Sequence, residues 1–352
     1  MKALGLVALL IASGSAQAKS WCAAPLVVHE WGVQVFQGPE AEPRPVVLPA
    51  WFHRDPTASR PEAAPVRSLP ADGGERDLPV LHFYTPRTWG DGIPVAVEAG
   101  FVKGRAAAWY PDADRVLPPS PGGGASVALA WDALTLTDRA RSAPHANTLS
   151  WVDDLRTLDG ALWVNRGEQS ERFLFYEAQP WEQPSVRLEG TVVHNQGAFP
   201  AHDLLVVRRH DGLAEVARLD SLGSGEQLSL DFETMDDPGA SLRPWLTERL
   251  QAHHSLEELG AWSMDMDDCV MQRDPAVAVA LSDGHGLFPG EIDALLDLWQ
   301  GRFFDQDGTV LLYRDDPGAL DAMAPLALYT DMRHYVELSR TGLVLWEGIA
   351  SE

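Results

Sequence analysis

Apolar and polar positions alternate through the first two thirds of the chain. In residues 25–36, Val27, His29, Trp31, Val33 and Val35 fall on one face at a period of two, which predicts a strand. Strand patterns recur at 78–84, 93–101, 105–110 and 127–136. They return at 172–178, 185–194, 203–209, 213–219 and 226–233, a spacing of roughly ten residues. Within them Val186, Leu188 and Val192 alternate with Arg187, Glu189 and Thr191. Turns at Asp211-Gly212 and at Gly223 to Gly225 separate such half-buried strands, which reads as an antiparallel sandwich. The Pro- and Gly-rich stretch from Pro39 to Gly74 predicts loop with one short strand at 46–52, and PPSPGGG at 118–124 is the sharpest break.

After Pro238 the period lengthens. Residues 241–251 predict a helix, and Ser255 to Glu258 forms a capping box with Gly260 as its stop. Phe288, Ile292, Leu295, Trp299 and Phe303 predict an amphipathic helix over 289–300. Strand patterns return at 309–313, 325–330 and 336–345. The expected fold is therefore mainly β, with antiparallel β-sandwich modules and a C-terminal α+β segment. Its expected divisions are a signal peptide (1–18), an N-terminal β module with Pro/Gly-rich loops (19–124), a central β-sandwich (125–237) and the α+β segment (238–352).

Composition narrows the partners. The 352 residues carry Lys+Arg 27 against Asp+Glu 51, a formal charge of -24, which repels phosphate backbones and excludes nucleic acid. At 45% hydrophobic the chain can bury a core and is not disordered by composition. Its first residues, MKALGLVALLIASGSAQA, combine Lys2, a short apolar run and an A-x-A site, the pattern of a cleaved signal peptide. The expectation is a secreted or periplasmic mature chain from Lys19, with no membrane span after cleavage. Cys22 and Cys269 both lie in that chain, and one disulfide is the simplest arithmetic; two separate buried thiols are the alternative.

Several catalytic patterns match only in part. Asp305, Asp307, Gly308 and Thr309 fit the D-x-D-G-T signature of the haloacid dehalogenases. Asp305 follows a helical pattern instead of a buried strand, too little chain remains for the required domain, and no Lys follows Lys103; an Asp-Gly turn accounts for the segment. Asp265, Asp267 and Asp268 are candidate ligands for an irregular cation site, but Val270 and Ala276 stand where a calcium loop needs Gly and Glu. His29 and Glu30 do not make H-E-x-x-H: position 33 is Val, and on a strand the two side chains point to opposite faces. His29 then reads as a buried polar residue with a hydrogen-bond partner. No G-x-S-x-G, Walker loop, G-x-G-x-x-G or zinc spacing occurs, so no cofactor is expected. The thirteen Trp are either core or stacking platforms for a carbohydrate ligand, and core is the simpler reading.

The segment Val28 to Gly32, with HEWG at its centre, resembles the opening strand of a family of uncharacterised secreted bacterial proteins. Here Val33, Gln34 and Val35 depart from that family's T-x-T continuation. The likeness recurs at 78–86 (LPVLHFYTP), 108–111 (AWYP), 172–176 (RFLFY), 286–299, 308–313 and 325–326. The resemblance implies export and one shared architecture, and it carries over no catalytic residue. The binding candidates are His29, Glu30, Trp31, Trp109 and Tyr110. The expected function is non-catalytic binding or interaction with an unknown protein or carbohydrate ligand. The alternative is a secreted hydrolase whose carboxylates and histidines come from distant parts of the chain.

Overall fold

A computed structural model of the chain describes residues 24–38, 41, 47–55, 75–86, 90–102, 104–118, 126–180, 183–258, 277–279, 281–331 and 334–349. The first strand, Ala24–Gln37, is buried along nearly its whole length because it runs through the middle of a ten-stranded sheet. On one side it pairs in parallel with the last strand, His334–Ile349, and on the other in antiparallel fashion with Glu75–Tyr84. A strand covered on both faces tolerates a run such as APLVVHEWGVQVF, in which His29 and Glu30 are buried against partners. The sheet continues outward through Gly308–Asp315, Ala201–His210, Leu213–Leu222 and Glu233–Met235 at one end. At the other end lie Leu174–Pro180, Gly104–Tyr110 and His53–Arg54.

Each face of this sheet has its own cover. On one face, helices Ser150–Arg156, Pro238–Leu250 and Pro289–Phe304 pack over Val27, Trp31, Val33, Leu205, Leu312 and Leu343. The other face carries two smaller sheets. A seven-stranded sheet that includes Ile93–Phe101, Ser126–Thr137 and Leu326–Thr330 covers Leu26, Val28, Leu81, Phe83 and Leu338. A three-stranded sheet, Val186–Glu189, Val192–Asn195 and Gln227–Ser229, covers Phe36, Leu204, Val206, Leu311 and Val344. The molecule is thus mainly β, with antiparallel sheets packed face to face and helices concentrated toward the C-terminus; the first and last strands make a parallel contact. Strands from before residue 124, from 125–237 and from after 238 all enter the ten-stranded sheet.

Element boundaries follow the patterns with local exceptions. The strand expected over 185–194 is a hairpin, because Gly190 takes φ +51 and turns the chain. The strand expected over 226–233 divides, its first part joining the three-stranded sheet and Glu233–Met235 the large one. The short strand expected at 46–52 is displaced to His53–Arg54. The capping box at Ser255 forms: its amide donates to Glu258 Oε2 at 2.8 Å, and the Glu258 amide to Ser255 Oγ at 3.2 Å. Asp305 is the C-cap of helix Pro289–Phe304, and Gly308 opens the next strand at φ +96, so the D-x-D-G-T segment is a helix-to-strand turn. Helix Pro317–Met323 has no periodic signal; Asp316 caps it by accepting from the Gly318 amide at 2.8 Å, with Pro317 at its first position.

Candidate functional site

His29 and Glu30 point to opposite faces of the first strand, as alternation requires. His29 faces the helices and donates its Nδ1–H to Glu291 Oε2 at 2.6 Å. Glu291 is in the first turn of helix Pro289–Phe304, where a carboxylate meets free amides, and it also accepts from the Phe288 amide at 2.9 Å. His82 stands directly opposite His29 across the antiparallel pair, with its Nδ1 3.5 Å from Glu291 Oε1. Both His82 nitrogens lack a hydrogen-bond partner, and the residue is fully buried.

The charges of this cluster follow from burial and pairing. Burial lowers the His82 pKa to about 4, against the pull of Glu291, so the ring is neutral. For Glu291 burial opposes ionisation, but His29, His82 and the Phe288 amide together hold its carboxyl below the usual range. Burial, then the neighbouring Glu291, pushes the Tyr84 phenol well up. A carboxylate that orients a histidine is a proton-transfer arrangement in chemical principle. Here His82 and Glu291 are at 0% and His29 at 3% exposure, with Phe288 and Tyr84 rings packed on His29. No substrate reaches the pair in this conformation, and the three side chains are not a metal-ligand set.

The other sequence candidates divide in the same way. Glu30 faces the small sheets and pairs with the fully buried Arg340, while the Tyr176 hydroxyl donates to its second oxygen. Arg340 also reaches Asp321 Oδ1 at 3.1 Å and the Ala324 carbonyl at 2.9 Å, which ties helix Pro317–Met323 to the central strands. Trp31 is 1% exposed and stacks on His82. Trp109 and Tyr110 lie in two different cores on opposite faces of the large sheet, so neither presents a ring to a ligand. The carbohydrate-stacking role considered for the tryptophans fails for Trp109, Trp131 and Trp151, because all three are core. Asp265, Asp267, Asp268, Cys22 and Cys269 lie outside the described residues.

The open site is one that the sequence patterns do not mark. Helix Pro317–Met323 lies against the large sheet beside the loops that flank the three-stranded sheet. Below the helix is a niche floored by Gly32 and Gly342, which are register partners on the first and last strands. Neither has a side chain to fill the space; a Cβ on Gly342 would lie 2.7 Å from Leu320 Cδ2. Beside the helix is a cleft of about 500 Å³, measured out to the solvent at its mouth. Phe36, Pro184, Phe199, Pro200, Met323 and Val344 supply its apolar walls. Its polar groups are Gln34, Gln183, Ser185, Asp315 and the Tyr313 hydroxyl, which accepts from the Ser185 amide at 3.0 Å.

Gln34 lines both spaces. It is 7% exposed, and its carboxamide makes no hydrogen bond among the described residues. The carboxamide is not sealed from solvent but opens onto the cleft, where water or a ligand can meet it. Its one signal in the sequence is its position in the Val33 to Val35 segment that departs from the T-x-T continuation.

Among the described residues no helix is long and apolar enough to cross a membrane. No protein family, no curated protein and no solved structure matches the chain.

Proposed function

We propose that the chain is a secreted or periplasmic, non-catalytic binding protein whose ligand enters the cleft between helix Pro317–Met323 and the loops that flank the three-stranded sheet. The observation that carries this reading is the unpaired Gln34 carboxamide in an apolar-walled, open cleft. The closed state of His29 and Glu291 agrees with binding, because that pair is sealed under helix Pro289–Phe304. The leader at 1–18 supports export, and in an oxidising compartment Cys22 and Cys269 would close a single bridge. Mass spectrometry of the protein from its native host is expected to find Lys19 as the first residue.

Ala319→Phe tests the cleft. Ala319 lines it from the helix, and a ring there narrows it without altering Gln34. Compounds that raise the melting temperature of the native protein in a thermal-shift panel are expected to leave Ala319→Phe unmoved. A shift shared equally by both proteins, or a turnover abolished by His29→Gln, overturns the reading.

A further inference from the structure

We propose that the ligand of the cleft is an extended peptide segment that inserts one apolar side chain and is read at its backbone by Gln34; this rests on the cleft reading above. The chemistry of the lining selects the class. A carboxamide carries one acceptor and a two-proton donor on adjacent atoms, the same pair that a peptide group offers in reverse, so the two can bond side by side. Gln34 is the one group of the lining that is both nine-tenths buried and without a hydrogen bond among the described residues. Around it Phe36, Pro184, Pro200, Met323 and Val344 make a surface that suits an aliphatic or aromatic side chain. A sugar ring would set hydroxyls against these apolar walls, a cost that an apolar side chain of a peptide does not incur.

A further observation agrees. Phe199 is 38% exposed at the rim, a large apolar side chain held at the mouth of the cleft. Charge completes the class. Asp315 in the lining and the formal charge of -24 disfavour acidic side chains next to the anchor.

The probes are the capped pentapeptides Ac-GGLGG-NH2 and Ac-GGDGG-NH2, with D-glucose as the carbohydrate arm. Saturation-transfer NMR with the full-length protein reads binding. The leucine methyls are expected to receive saturation, and the aspartate peptide and glucose to receive none. Gln34→Leu keeps the volume and removes the amide, and it is expected to weaken the leucine peptide about tenfold, the worth of one hydrogen-bonded group. Phe199→Ala, at an exposed position that leaves the fold intact, is the second variant and is expected to weaken it in the same direction. Binding of glucose in place of the peptide, lost in Gln34→Leu, overturns the ligand class and leaves the cleft standing. Peptide binding unchanged in Gln34→Leu, Phe199→Ala and Ala319→Phe overturns the cleft itself. Absence of transfer from every probe overturns the peptide proposal.

Discussion

The neutral, unpartnered His82 makes this protein acid-labile in a defined window. Its ring is fully buried between Trp31 and Phe173, and its pKa is lowered from 6.5 to about 4 by burial. In the unfolded chain the same imidazole takes up a proton near pH 6.5. The folded state holds fewer protons than the unfolded one between these values. Stability from this group is therefore complete above pH 6.5 and is lost as pH falls toward 4. Integrating the two titrations gives a loss of ~2 kcal/mol at pH 5 and ~3 kcal/mol at pH 4. His82→Leu replaces the ring by a group of similar volume that cannot titrate. Urea unfolding of both proteins at pH 8 and pH 5 isolates the effect, because the other ionisable groups are common to both. The native protein is expected to lose ~2 kcal/mol more than the variant over that interval. Equal losses in the two proteins, or an imidazole resonance of His82 titrating above pH 6, would refute the argument.

Two more substitutions probe the central strands. Arg340→Met leaves Glu30 buried without its cation and is expected to cost about 3–5 kcal/mol; the double change with Glu30→Gln recovers a large part of that, measured by urea unfolding. Gly342→Val drives a side chain into Leu320 across the niche and is expected to cost about 1–3 kcal/mol, with a lower melting temperature as the readout.

How far the sequence anticipates this structure depends on whether a residue's partner is near in the chain. Strand Ile93–Phe101 and helix Pro289–Phe304 were legible because their burial repeats at the period of the element itself. Helix Pro317–Met323 was not, since only Asp316 and Pro317 signal it and the same residues also begin turns. The burial of His29 was legible from its alternation with Val27 and Trp31. Its partner Glu291 was not, because it is 262 residues away and looks like an ordinary acid of a helix first turn. Gln34 reads in the sequence as one polar residue of a strand. Its meaning comes from Gly342, Val344 and Asp315 on strands near the far end of the chain, and no local pattern encodes that neighbourhood. Trp109 and Tyr110 drew attention as aromatic residues, and tertiary packing spends both on the interior.

The parallel contact between the first and last strands has a consequence for how the molecule comes into being. Every paired position along it, from Ala24 with His334 to Gln37 with Glu347, spans 310 residues. Bringing such distant points together costs about 5 kcal/mol of chain entropy before any contact rewards it, and folds dominated by such pairings are slow. A nascent chain therefore cannot complete its central layer until residues 334–349 have emerged. A fragment that lacks Ala24–Gln37 or His334–Ile349 has no middle pair of strands to build upon. Gln34, Gly32, Gly342 and Val344 sit on this join, so only an intact copy possesses a cleft. Occupancy of the cleft would report that these two strands had joined, and a bound ligand would protect that closure against proteolysis in proportion to its concentration.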